Sequence, residues 1–334
     1  MIKGFSIISP ASSAMKYFPK RVKQGKDFLE KQGFCVNFEK NSFESKSYYS
    51  SDIEERIQDI YDACHNNNTN IIMASIGGYN SNQLLNYLDY NKILNSNKIF
   101  CGYSDITCLL LAIYSKTNQI VLHGPTFLPE MCEYPMPYDY TWKYFLEVVN
   151  YNTVEYKMPD YEVKEFVDWN IQEKKSIERK KEENNQPWKI CKRGKSEGKL
   201  IGGNLSSILT ILGTEYLPLN MFDDKILFLE DVDISIAEFD SFMQSLELRG
   251  IFSKIKGLII GKFEDEKNNK EIEEFLNRFL KKYNYPVLYN VDIGHTNPQL
   301  TLPIGATALL ECEEKIIFKI LSYWFNEERI INDR

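Results

Sequence analysis

The first 74 residues alternate short apolar runs with amphipathic helical runs, and that alternation restricts the fold more than any other feature of the chain. Residues 4–9 read as a strand, and residues 20–32 read as a helix with Val22, Phe28 and Leu29 facing inward and Gly33 closing it. Residues 35–38 form a second strand. Residues 52–66 carry Ile53, Ile57, Ile60 and Tyr61 at helical spacing, and residues 70–74 form a third strand. The order β, α, β, α, β calls for a parallel, doubly wound sheet, so the fold class is α/β. In such sheets ligands meet the carboxyl ends of the strands, which directs attention to the residues that follow each one.

The first strand empties into Ser9-Pro10-Ala11-Ser12-Ser13, a small-residue loop suited to lining a cleft. The third runs into Ser75-Ile76-Gly77-Gly78-Tyr79-Asn80, ahead of a helix over 83–88. Paired glycines there either let the backbone approach a ligand, as an oxyanion donor or carboxylate cradle, or simply make a tight turn. Ile99-Phe100-Cys101 then leads into Gly102-Tyr103-Ser104-Asp105-Ile106-Thr107, and an apolar helical run leads out from Cys108. A serine on a strand–turn–helix junction points its hydroxyl out of the sheet edge beside unpaired helix-start amides. Ser104 is therefore either a nucleophile beside an oxyanion hole or a helix cap. Asp105, in the first helical turn, suits the positive end of the helix dipole. Residues 120–122 make a short strand ending in His123-Gly124-Pro125. A histidine at a strand end is more often a structural hydrogen bonder than a catalyst, and His123 stays outside the candidate catalytic set.

The composition changes from about 155 to 198. Glu173 to Asn185 is a mixed-charge run with no apolar face, readable as a solvated helix or a mobile loop, and Trp169 and Trp188 flank it. Aromatic residues in a polar excursion either form a lid that stacks on a ligand ring or pack the excursion onto the body. Beyond it, 198–205 read as strand, glycine turn and helix start. A strand over 225–229 delivers Glu230 and Asp231, where a carboxylate orients a catalytic base or caps the next helix, 234–248. A strand at 255–260, a helix at 270–283 and a strand at 287–291 precede Gly294-His295-Thr296-Asn297-Pro298. A hairpin, 306–311 against 315–321, closes the chain. At 334 residues the chain exceeds what one core usually holds. It divides into a nucleophile domain over 1–150, a linker and substrate loop over 151–198, and a mixed α/β domain over 199–334.

Composition narrows the function classes. The chain is 43% hydrophobic and 26% charged, like an ordinary globular protein, and a formal charge of −7 offers no basic face to nucleic acid or an anionic membrane. No apolar run approaches the length of a membrane span or a signal peptide, so a cytoplasmic location is expected. Seven scattered cysteines without a CxxC pair fit reduced thiols, and three histidines, His65, His123 and His295, form no metal-binding pattern. No metal and no cofactor are expected.

Ser104, Glu230 and His295 each follow a strand, in the order Ser, acid, His. A hydroxyl nucleophile needs a base to take its proton and an acid to hold that base in the right tautomer. The motifs around these residues, with Gly202-Gly203-Asn204-Leu205, Leu229-Glu230-Asp231 and Leu300-Thr301-Leu302-Pro303-Ile304-Gly305, closely resemble the LD-carboxypeptidase and microcin C immunity family of serine peptidases, over nearly the whole chain. The resemblance implies an amidohydrolase with a Ser104–Glu230–His295 triad, an oxyanion hole drawn from Gly77, Gly78 and Asp105, and a homodimer. It also implies a substrate site including Asn204 and a loop tryptophan, for which Trp169 and Trp188 are the two candidates.

Two subgroups compete. LD-carboxypeptidases release terminal D-alanine from muropeptides; immunity-type members cleave the amide joining an aminoacyl group to a modified nucleotide. Ile76 stands where the carboxypeptidases usually carry arginine before the glycine pair, and together with the tryptophan-bearing excursion it resembles the immunity type. A binding protein with an unused triad is the non-enzymatic reading.

Overall fold

The computed structural model describes residues 2–263 and 266–322, with the side chains of 266–269 left aside. The first strands are β1 (Gly4–Ile8), β2 (Cys35–Phe38), β3 (Ile71–Ala74), β4 (Ile99–Gly102) and β5 (Val121–His123), and they pair in parallel in the order β2-β1-β3-β4-β5. Helices α1 (Pro19–Lys31), α2 (Ile53–His65), α3 (Tyr90–Ser96) and α4 (Thr107–Thr117) connect them. Each begins for a local reason. Pro19 occupies the first turn of α1, where a missing N–H costs nothing, and Asp52 with Glu55 forms a capping box on α2. Strands β3 and β4 are buried along their whole length, the pattern of a sheet covered on both faces. Strand order reverses between β1 and β3, and at such a switch point a crevice opens at the carboxyl edge. The Gln83–Leu88 helix of the sequence reading is a 3₁₀ helix over Ser81–Tyr87.

After α5 (Asp139–Asn150) the chain enters a second sheet. Its parallel centre is β10 (Gly194–Asn204), β11 (Lys225–Glu230), β12 (Gly257–Gly261) and β13 (Val287–Val291), with α7 (Leu205–Ile211), α8 (Ile236–Leu248) and α9 (Glu266–Phe279) between them. Antiparallel strands flank it: β6 (Val154–Tyr156), β16 (Ile316–Ser322) and β15 (Thr307–Cys312) on one side and β9 (Lys189–Lys192) on the other. The excursion over 151–198 thus supplies both edge strands of this sheet and the start of β10. Between those strands lie β7 (Tyr161–Glu162), α6 (Trp169–Lys175) and β8 (Glu182–Glu183), with β7 and β8 paired. Gly202 and Gly203, expected in a turn, belong to β10 itself, where added side chains would collide with the Phe228 carbonyl and with Thr107.

Strand β14 (Leu302–Ile304) leaves the second sheet's neighbourhood and adds antiparallel to β5, pairing Leu302 with His123. The two halves also meet where Thr107 Oγ1 accepts the Asn204 N–H at 3.1 Å and the Cys108 thiol reaches the Ser207 carbonyl at 3.4 Å. Both sheets therefore aim their carboxyl edges at one space.

Candidate active site

That space is a cavity of about 1180 Å³ between the two sheet edges. Ser12, Gly77, Gly78, Ser104 and Asp105 line it from the first half, and Asn204, Asp231, Lys262, Asp292 and His295 from the second, while Glu162 to Val167 and Trp169 come from the excursion.

Ser104 sits two residues past the end of β4 with φ of +60°, in the left-handed region. A side chain there costs about 1–2 kcal/mol, and the surrounding strand and helix hold it in place, the geometry of a nucleophile elbow. Gly77 packs directly on it: a Cβ on Gly77 would lie 2.9 Å from Ser104 Cβ and 3.0 Å from its Oγ, so only glycine lets the backbone face the hydroxyl. Among the described residues no acceptor takes the N–H of Gly77, Gly78 or Asp105. Amides in that position can receive a developing oxyanion. The Asp105 side chain points the other way, accepting from the N–H of Ser81 at 2.8 Å and Asn80 at 3.1 Å, and so fixes the glycine loop against the Ser104 turn.

Glu230 ends β11 and is 1% exposed. Its Oε2 accepts from His295 Nδ1 at 2.8 Å. Gly294, with φ of +73°, makes this contact possible, because a side chain there would fall on the Glu230 carboxylate. Burial alone would raise the Glu230 carboxyl; the adjoining His295 imidazolium outweighs it and holds the group below its ordinary value. Burial likewise disfavours charged His295, but the Glu230 charge outweighs that and lifts the imidazole above its ordinary value. The Tyr103 ring stands edge-on to His295, centroids 4.9 Å apart, and its hydroxyl donates to the buried Glu130 at 2.8 Å. An imidazole fixed on one side by a carboxylate can take a proton on the other. Ser104 and His295 share the cavity, and no hydrogen bond joins them in this structure.

Of the predicted substrate residues, Asn204 and Trp169 line the cavity and Trp188 does not. Asn204 caps α7 and donates to Asp231 at 3.0 Å. Trp188 is buried, its indole N–H donating to Asp292 at 2.8 Å. Trp169 carries the Arg21 guanidinium 4.7 Å from its ring centroid and the Phe18 ring edge-on at 5.5 Å. Its segment is tied to the body by charge. Glu173 accepts the helix-start amides of Lys20 and Arg21 at 2.7 and 3.1 Å, and Arg179 meets the buried Glu133 at 2.5 Å, with Arg21 on the same carboxylate oxygen at 3.5 Å. The sequence reading missed Arg21, Arg179 and Lys262. Nothing in their local pattern separates them from surface cations. Among the described residues no group of three or more His, Cys, Asp and Glu side chains is placed to hold a metal ion, and no helix is long and apolar enough to cross a membrane.

Comparison with known proteins places this geometry. Residues 6–124 match the family model described as the LD-carboxypeptidase N-terminal domain, and residues 197–310 match the LD-carboxypeptidase C-terminal domain. The chain is 35% identical over 319 residues to the microcin C7 self-immunity protein MccF of Escherichia coli, an alignment covering 94% of this chain and 91% of that protein. A solved structure of MccF in complex with glutamyl sulfamoyl guanosine superposes with a TM-score of 0.88 at 32% identity, covering 97% of each chain. One of MccF in complex with aspartyl sulfamoyl adenosine gives 0.87 at 33%, again with 97% of each covered. With both halves matched and the likeness running nearly end to end, the chain belongs to the LD-carboxypeptidase and microcin C immunity family of serine peptidases and is a carboxypeptidase-type hydrolase.

Proposed function

We propose that the protein hydrolyses the amide between an aminoacyl group and a modified nucleotide, using Ser104 as nucleophile, His295 as base and Glu230 as the acid that orients it. The observation that carries this reading is the 2.8 Å Glu230–His295 hydrogen bond opening onto the cavity that Ser104 lines from the opposite sheet. Ser104 attacks the carbonyl as His295 accepts its proton; His295 then returns that proton to the leaving nitrogen. The oxyanion forms beside the amides of Asp105 and Gly77 or Gly78. Water repeats the sequence on the acyl-enzyme.

Two features support a nucleotide over a muropeptide. Trp169 offers a planar surface inside the cavity, and base stacking on an aromatic side chain is worth about 1–3 kcal/mol. Of the cations that line the cavity, Arg21 and Arg179 meet Glu133, Lys262 meets Glu162 and Asp292, and Lys164 meets Glu162, while Ile76 adds an apolar wall, so a peptide carboxylate would have to displace an acidic partner already in place. The same reading includes a homodimer acting in the cytoplasm, on the family resemblance. The test sets aspartyl sulfamoyl adenosine beside an LD-tetrapeptide. Faster hydrolysis of the adenosine compound is expected; efficient release of D-alanine with the adenosine compound untouched establishes the carboxypeptidase reading instead.

A further inference from the structure

Behind the Glu230–His295 pair lies a second histidine that the mechanism leaves unused. His123 ends β5 and is 0% exposed, enclosed by Phe228, whose ring centroid is 5.2 Å away, and Tyr103 at 6.2 Å. Neither of its ring nitrogens has a hydrogen-bond partner. Glu230 Oε1, the oxygen that His295 does not use, is also buried without a partner. These orphans face each other: His123 Nε2 stands 3.8 Å from Glu230 Oε1. Buried polar groups without partners are rare, and two complementary ones left side by side form a pair that a displacement of about 0.9 Å would close to an ordinary N–H···O distance.

We infer that His123 is a positioning residue for the hydrolase: as a neutral imidazole carrying its proton on Nε2, it donates to Glu230 Oε1 and holds the carboxylate between two histidines. The inference rests on Glu230 and His295 serving as acid and base. A neutral imidazole has one N–H and one lone pair, and its proton goes to the nitrogen that faces an acceptor. Nε2 faces a carboxylate; Nδ1 faces none. Burial pushes His123 down to about 4, so at neutral pH the contact is a hydrogen bond from an uncharged donor and not an ion pair. Backbone placement fixes the donor from both sides. His123 pairs with Gly102 of β4, two residues before Ser104, and with Leu302 of β14, so the first sheet reaches through His123 to the acid carried by the second.

The charged and titratable groups facing this assembly are Glu230, Asp231, Glu130, Tyr103 and His295. Removing the His123 donor leaves the Glu230 charge less neutralised. Its pull on the His295 imidazolium then grows, so the His295 midpoint rises while the freed carboxylate holds the ring less firmly.

The test is the proton and nitrogen magnetic resonance of the histidines in the full-length protein, which needs no substrate. In the wild type, His123 shows its proton on Nε2; a proton on Nδ1 overturns the proposal without any substitution. His123→Gln keeps an amide donor near the Nε2 position, whereas His123→Leu removes it. The His295 midpoint is expected to rise by about half a pH unit or more in His123→Leu and to stay near the wild-type value in His123→Gln. Turnover of aspartyl sulfamoyl adenosine is expected to fall about tenfold to a hundredfold in the leucine variant, with KM little changed, and to recover in the glutamine variant. Equal midpoint shifts in both variants mark a packing role and overturn the proposal, as does no shift in either. Should the leucine variant not fold, the wild-type tautomer and the glutamine midpoint decide. Failure of the triad itself reads differently: Glu230→Gln would then leave turnover unchanged whatever His123 does.

Discussion

The sheet edge that carries the proposed triad and the excursion that covers it are held by different physics. Ser104 and Glu230 stand at or two residues past the ends of buried parallel strands, placed by a ladder of main-chain hydrogen bonds and by apolar packing on both faces, and His295 follows four residues after such a strand on a loop held by its own main-chain bonds. The segment from Tyr161 to Glu183 has two short strand pieces and one seven-residue helix, and what ties it to the body is largely charge: Glu173 on the first turn of α1, and Arg179 with Arg21 on Glu133. On the proposed mechanism, a rigid edge beneath a charge-latched cover lets the geometry of the chemistry and the admission of substrate vary independently.

Substitutions can sharpen or break that contrast. Ser104→Ala is expected to reduce hydrolysis by roughly ten-thousandfold or more while the thermal midpoint stays or rises; retained turnover locates the nucleophile elsewhere. Glu230→Gln removes the charge that lifts His295. Turnover should drop about a hundredfold to a thousandfold. The base must be neutral to act, so activity falls as pH drops through the His295 midpoint; without Glu230 that midpoint is lower, and the acid limb of the kcat/KM profile moves to lower pH. An unmoved limb separates Glu230 from the base.

On the cover the signature reverses. Trp169→Ala should raise KM for the sulfamoyl adenosine about tenfold to a hundredfold and leave kcat nearly unchanged, since stacking of this kind is worth about 1–3 kcal/mol. Glu133→Ala strips both arginines of their carboxylate. Arg179, on the excursion, can swing out to water, so the expected result is an opened cover: faster limited proteolysis between 164 and 181 and a KM about severalfold higher at low salt. Equal losses in kcat from a cover variant and an edge variant would erase the distinction.

The same contrast explains what the sequence made legible. Short apolar runs disclosed β1, β3, β4, β11 and β13, and with them the turns that carry Ser104, Glu230 and His295. The end of α1 was readable for a similarly local reason, as Gly33 shows. Contacts between Arg179 and Glu133 span 46 residues and leave no periodic trace, so a run that reads as solvated is in fact anchored. Trp188 and Trp169 were indistinguishable in sequence; only the fold sends one to Asp292 and the other to the cavity. Strand β14 is three residues with a central proline, below what any local pattern reveals, and His123 gained its place beside Glu230 through sheet pairing that no spacing announces.

That three-residue strand governs how the molecule can be made. The outer edge of β5 is completed by Leu302 to Ile304, so the His123–Leu302 pair closes a loop of 302 − 123 = 179 residues. During synthesis the ribosome releases the five parallel strands of the first sheet long before the sixth exists, and an uncovered edge is a template for unwanted pairing. Contacts of such separation are slow to form because loop closure precedes their reward. The nascent amino-terminal half therefore waits, edge open, for residues from the far end of the chain, and the two halves reach their final state together.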